Sequence, residues 1–270
     1  MKSIAKKFAV GSVLCCVACA GSLTSLAQIS VNSDDLYSLR PGQRFTYGLC
    51  YHRIELFNGT NFDGFIFCMK NDADPMQTWS ITNGVIHCNG SATGYLRTKK
   101  SYSNYVVTGE WRFRKVAPDA DNTGVLVHMQ LPDTVWPKCI QNQGKSGRQG
   151  DLFVMGGAEC KEHLALGKDA NTPVPLRGVS NEIPVGEWNT NVTVCAGNDV
   201  KAFINGKFMN EITEGTISSG FVGIQSEGGD IEIRKISLAT ATDGVGILKE
   251  MFPQTETSSP AKTNNPSIAN

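Results

Sequence analysis

From Tyr105 to Phe113, the positions Tyr105, Val107, Gly109, Trp111 and Phe113 alternate with Val106, Thr108, Glu110 and Arg112. A period of two is that of a pleated strand, whose successive side chains leave opposite faces, so Glu110 and Arg112 are predicted to share one polar side. The same rhythm recurs in short segments bounded by turn residues. Gly124 to Met129 sets Val125, Val127 and Met129 against Leu126 and His128, and near the end Val222 and Ile224 alternate with Gln225 and Glu227. Asp199 to Ile204 runs into Asn205-Gly206, a strong two-residue hairpin signal. The period slips between Ile233 and Ile236, where a bulge or a covered outer face is expected. No stretch keeps helical periodicity for three turns, so the chain reads as all-β: about a dozen short strands whose long connections cross between the two sheets of a sandwich.

A chain of 270 residues, 40% apolar and 19% charged, can bury one large β core. Residues 28–53 read as an irregular lead-in, 54–240 as the folded domain, and 241–270 as a polar, disordered tail. Lys2, Lys6 and Lys7 precede an uncharged run from Phe8 to Leu26 and a small-residue end at Ala27, the pattern of a secretory leader over residues 1–27. Cys15, Cys16 and Cys19 leave a lipoprotein anchor open as the alternative. Of 25 basic side chains, losing the three leader lysines leaves 22 against 25 acidic ones, a balance that disfavours nucleic acid or an anionic membrane as partner. The expected location is secreted or periplasmic, with no membrane span. Cys50, Cys68, Cys88, Cys139, Cys160 and Cys195 are an even number in an exported chain and predict one to three disulfides. Histidines at 52, 87, 128 and 163 show no paired metal-ligand spacing, so no cofactor is expected, with a structural calcium left open.

Several stretches in order resemble the 3-keto-disaccharide hydrolase family. They are Glu55-Leu56-Phe57-Asn58-Gly59-Thr60, Gly84-Val85-Ile86-His87-Cys88, Gly94-Tyr95-Leu96-Arg97-Thr98, Glu110-Trp111-Arg112 and Asn122-Thr123-Gly124-Val125. They continue through Trp136-Pro137 to Gln143, Gly150-Asp151, Gly186-Glu187-Trp188-Asn189 and Gly223-Ile224-Gln225-Ser226-Glu227-Gly228. The resemblance implies a concanavalin-like jelly roll of the lectin and glucanase type, a bacterial source, and an oligosaccharide or keto-glycoside substrate. One departure matters: where many relatives read Ile-Glu-x-Gln, this chain has Ile140-Gln141-Asn142-Gln143, an amide that cannot serve as a general base.

A ketone at C3 of a sugar acidifies the C2 proton, so the implied reaction is proton abstraction at C2, elimination of the glycosidic oxygen and hydration of the product. It needs a base near neutral pKa and donors or a cation at the developing enolate oxygen. His128, Glu227 and Arg112 are the candidate catalytic groups. Glu110, Asn122, Trp136, Gln141, Gln143, Asp151 and Gln225 are the candidate substrate contacts, with Trp136 offering a ring face and the glutamines matching sugar hydroxyls. Each has a plain structural alternative: a packed histidine, a strand-end carboxylate, a surface ion pair at Glu110 and Arg112, turn residues at Asn122 and Asp151. Convergence of His128, Glu227 and Arg112 on a pocket would favour the enzyme. An open face of Trp and Gln would favour a non-catalytic, lectin-like module, and a structural or adhesion domain is the third reading.

Overall fold

The structure, a computed structural model, describes residues 51–115, 122–167 and 172–241. The expected leader, most of the expected lead-in, the expected tail beyond Ala241 and Cys50 lie outside the described residues. Fifteen strands are found among those described: Tyr51–Glu55 (β1), Phe65–Met69 (β2), Trp79–Thr82 (β3), Val85–Cys88 (β4), Gly94–Thr98 (β5), Tyr102–Ser103 (β6), Tyr105–Phe113 (β7), Gly124–Met129 (β8), Cys139–Gln143 (β9), Leu152–Met155 (β10), Asn189–Ala196 (β11), Asp199–Ile204 (β12), Lys207–Ile212 (β13), Ser219–Ser226 (β14) and Ile231–Ala241 (β15). One short helix, Lys161–Leu166 (α1), follows β10. All strand pairs are antiparallel. One sheet has the order β13-β12-β11-β7-β15-β4-β3 with β1 added on β15, and the other β10-β9-β8-β14-β5-β2 with β6 added on β14. β1 pairs with β15, with Tyr51 opposite Ala241, so Tyr51, His52 and Arg53, expected in the lead-in, belong to a paired strand.

The alternation read from the sequence is the alternation of burial. Along β7 the odd positions from Tyr105 to Phe113 are buried and the even ones only partly so. Trp111, Val107, Ile233, Ile236 and Leu238 of the first sheet meet Val125, Val127, Ile140 and Ile224 of the second in one apolar core. A polar cluster is set into it: Asn142 Nδ2 of β9 donates to Asn191 Oδ1 and Thr193 Oγ1 of β11, both at 2.9 Å, tying the sheets together. The hairpin at Asn205-Gly206 forms as expected, with φ of 47° and 78°, values at which glycine carries no steric penalty. The slip in β15 is a bulge, since Ile233 faces Trp111 while Lys235 faces Glu110. The last two strands lie in different sheets, so the Gly228-Gly229 link is a crossover.

Two expectations fail. β8 carries a bulge that the sequence does not announce: Phe221 pairs with Met129 but Gly223 with Leu126, so three steps along β8 match two along β14. His128 at this point has φ 54°, which turns its side chain to the inner side, beside Tyr105 of the other sheet. Met129 is displaced to the outer side with Leu126. The bulge brings the β8 backbone against β14 at Gly220, where a Cβ would lie 2.4 Å from the His128 carbonyl carbon. The second failure is the disulfides. Cys68, Cys88, Cys139, Cys160 and Cys195 are all free thiols, so no pair forms among the described cysteines. Their thiols have other partners or packing: Cys160 Sγ accepts from His163 N at the start of α1, and Cys139 sits against Met155. Burial pushes the Cys88 thiol up to about 11 and that of Cys195 to about 12, so both are inert at neutral pH.

Candidate functional site

The outer face of the second sheet is set by register. Gln141 lies opposite Leu126 and Phe153, Gln143 opposite Gly124, and Gln225 opposite Tyr95, so these side chains share the side away from the core. A cleft of about 630 Å³ opens there, lined by Gln141, Gln143, Phe153, Met155 and Gln225 from the strands. Asn122 just before β8, Glu227 just after β14, Trp136 from the β8–β9 connection, and Lys145, Arg148 and Asp151 from the β9–β10 connection also line it.

The polar groups form one network. Glu227 Oε2 accepts from Asn122 Nδ2 at 2.6 Å and from Gln225 Nε2 at 2.9 Å. Gln225 Oε1 accepts from Gln141 Nε2 at 2.6 Å, and Gln141 Nε2 also lies 3.3 Å from Gln143 Oε1. Gly124 makes this possible, because a Cβ there would come within 2.5 Å of Gln141 Nε2. Thr123 Oγ1 donates to the Gln225 carbonyl at 2.8 Å and fixes β14 beside Asn122. Asp151, almost fully buried, is held by Arg148 at 2.6 and 2.7 Å and accepts from Leu176 N at 2.8 Å. It therefore orients Arg148 at the cleft wall, and its own oxygens are engaged.

Burial raises the Glu227 pKa above the usual carboxylate range, while the Lys145 charge and the Gln225 donor pull it the other way. Glu227 is half-buried, and its Oε1 has no partner among the described residues. A carboxyl that holds its proton more tightly than usual, with one oxygen free toward a cleft, is suited to general acid–base work. Trp136 is 48% exposed at the rim and can present its face to a ring. Behind it, Arg97 Nε and Nη2 grip Asp133 at 2.6 and 2.5 Å and Tyr95 Oη donates to it at 3.1 Å, so the connection bearing Trp136 is clamped onto the sheet.

Of the residues singled out in the sequence, Asn122, Trp136, Gln141, Gln143, Asp151, Gln225 and Glu227 come together at this cleft. His128, Arg112 and Glu110 do not, so the expected convergence of His128, Glu227 and Arg112 is absent. His128 is buried between the sheets, its Nδ1 3.3 Å from Tyr105 Oη and its Nε2 without a partner, and burial lowers its pKa to about 4. The β8 bulge is the reason. Arg112 and Glu110 lie on the outside of the other sheet, as β7 alternation requires. Arg112 binds Glu232 at 2.7 Å, while Glu110 binds Arg234 at 2.7 Å and Lys235 at 3.4 Å. Arg112 and Arg234 each stack 4.6 Å from the Trp188 ring, making a surface ladder. Sequence reasoning missed Lys145 and Arg148. The available signal was two cations in a glycine-punctuated run, Gly144 to Gly150, directly after the paired glutamines. Among the described residues no group of three or more His, Cys, Asp or Glu could hold a metal ion, and no helix is long and apolar enough to cross a membrane.

Comparison with solved structures places the fold. A provisionally named glycosyl hydrolase from Parabacteroides distasonis ATCC 8503 is 19% identical with a TM-score of 0.52, covering 69% of this chain and 92% of its own. A second structure of that description from the same organism is 20% identical with a TM-score of 0.50, covering 70% and 99%. A third, associated with endo-acting O-glycanases of the human gut microbiota, is 9% identical with a TM-score of 0.51, covering 70% and 98%. At these identities the likeness is one of fold, the two-sheet jelly-roll sandwich. No curated protein matches the chain. A family model described as a 3-keto-alpha-glucoside-1,2-lyase-like domain matches residues 52–239, nearly the whole described sandwich, and the chain therefore belongs to that carbohydrate-active family, the one its sequence motifs resemble.

Proposed function

We propose that this chain is an exported enzyme that cleaves 3-keto-glycosides at the outer cleft of its second sheet, with Glu227 as the acid–base group. The observation that carries this reading is the Glu227 carboxyl, raised in pKa by burial and lining a cleft that also holds Lys145. In the proposed reaction the Glu227 carboxylate takes the C2 proton of the oxidised ring. The electrons of the C2–H bond pass into the enolate and from there form the C1–C2 double bond as the C1–O bond breaks, and the departing oxygen takes the proton now held by Glu227. Water then adds across the double bond, so the net change is hydrolysis. Negative charge gathers on the C3 oxygen during abstraction, and the Lys145 ammonium, with the free edge of Arg148, is the cation available to stabilise it. Gln141, Gln143 and Gln225 supply donors and acceptors for hydroxyls, and Trp136 a platform for a neighbouring ring. The family's lyase description agrees with elimination as the first step.

A lectin-like binding role is the second reading. It is favoured by the absence of His128 from the cleft, by the amide at Gln141, and by Asp151 being tied to Arg148, which together leave Glu227 as the one available carboxyl among the described lining residues. The deciding experiment incubates the purified protein with a panel of 3-keto-glycosides and their unoxidised parents, beside Glu227→Gln. Release of sugar from the keto substrates alone, lost by a factor of about 100 or more in the variant, is expected for a general base. Turnover unchanged by Glu227→Gln refutes the assignment, and tight binding of the parents without turnover establishes the lectin-like role.

A further inference from the structure

The direction of the amide chain ending on Glu227 is set at its far end by two backbone N–H groups. Gly144 N and Lys145 N both donate to Gln143 Oε1, at 3.0 and 3.3 Å. A backbone N–H cannot accept, so that end of Gln143 is its oxygen. Gln141, 3.3 Å from this oxygen and 2.6 Å from Gln225 Oε1, must present its NH2 to both. Gln225 then has only its NH2 to offer Glu227 Oε2, at 2.9 Å. Gln141, Gln143 and Gln225 are 3%, 7% and 3% exposed, so reversing one amide would oppose like groups where a mismatched polar atom costs its full desolvation.

We propose that Gln141 is a positioning residue: the one-way relay from Gln143 through Gln141 and Gln225, acting beside the Asn122 Nδ2 donor at 2.6 Å, keeps Glu227 Oε2 an acceptor, so that the exchangeable proton of Glu227 is carried on Oε1, which has no hydrogen bond among the described residues. The catalytic meaning of this rests on Glu227 being the acid–base group, whereas the relay itself is readable without substrate. The charged groups facing Glu227 among the described residues are Lys145 and the Arg148–Asp151 pair of the β9–β10 connection, while β10 contributes Phe153 and Met155. A glutamate at 141 would put an acceptor against the oxygens of both Gln143 and Gln225. Gln225 would reverse, its oxygen would face Glu227, and Glu227 would hold its proton more tightly. The added charge acts in the same direction, so Gln141→Met, neutral and unable to donate, separates the two effects.

The test is NMR on the full chain with carboxyl-labelled glutamate, the Glu227 signal being identified by its loss in Glu227→Gln. In the wild type, the side-chain amide nitrogen of Gln141 should shift with the same midpoint as Glu227, and this response should vanish in Gln225→Met. Gln141→Met should raise the Glu227 midpoint by about one pKa unit although residue 141 does not touch Glu227, and Gln141→Glu by more. A Gln141 amide silent to the Glu227 titration, or a midpoint unmoved in a folded Gln141→Met, overturns the relay. The wild-type amide response decides the matter should that variant not fold. Intact NMR coupling without turnover of any keto-glycoside would remove the enzymatic reading and leave the relay standing, and turnover without coupling would do the reverse.

Discussion

Asp133→Ala should loosen the wall of the cleft and cost a large part of the domain's stability. Asp133 accepts from Arg97 Nε at 2.6 Å, Arg97 Nη2 at 2.5 Å and Tyr95 Oη at 3.1 Å. The Arg97 side chain is 6% exposed and Asp133 30%, so the pair is mostly buried on the cation's side. Removing the carboxylate leaves a buried guanidinium with one backbone partner, the Thr98 carbonyl at 2.9 Å, and the Phe221 ring 4.2 Å from its carbon. Stripping one partner from a buried pair costs ~3–5 kcal/mol, and partial solvation of Asp133 brings the expectation to about 3 kcal/mol. For a domain of this size that is a fall in Tm of roughly 6–12 °C. Urea unfolding of Asp133→Ala, Arg97→Met and the double variant measures it. The double variant should recover part of the loss, since it leaves no unpaired charge, with a coupling energy of about 1–3 kcal/mol. The Arg97 hydrogen bonds lower the Asp133 pKa against the effect of its burial, so the contribution is present above the unfolded carboxylate pKa and is lost as pH falls through the folded value. A loss below about 1 kcal/mol, or coupling indistinguishable from zero, would refute the clamp, since an exposed pair is worth no more than that.

Two further tests follow from the same geometry. The folded pKa of His128 is about 4 against roughly 6.5 unfolded, so the unfolded chain takes up the proton first and stability should fall as pH drops through that interval, by up to about 3 kcal/mol; His128→Asn, which tolerates the positive φ, should flatten this dependence in urea titrations from pH 7 to 4 without abolishing turnover. Trp136→Ala should weaken glycoside affinity by roughly tenfold, as loss of an exposed ring platform predicts, with little change in Tm, as read by calorimetric titration and thermal melts.

Much of this protein was legible in the sequence because a strand's alternation is a local property. The two faces of β7, the Asn205-Gly206 turn and the bulge after Ile233 each depend on neighbours in the chain, and each stands where the pattern put it. The shared side of Gln225 and Glu227 was legible for the same reason, and the ordered motifs pointed to the family that the domain model matches. What tertiary structure alone decided is which strand faces which. Glu110 and Arg112 have a polar face, as read, but it belongs to the sheet opposite the cleft, and no local signal carries that choice. A single extra residue in β8 turned His128 inward, because the register of a strand is settled by its partner, here β14, and one slipped residue exchanges inner and outer sides. The five described cysteines lie on or beside separate elements as free thiols, all but Cys68 buried. Lys145 and Arg148 joined the cleft through a connection whose path depends on Asp151 being buried beneath it. Alternation is written residue by residue along the chain, whereas a cleft is assembled from segments more than a hundred residues apart, Asn122 meeting Glu227 at 2.6 Å, and only the pairing of β8 with β14 in the second sheet brings them together.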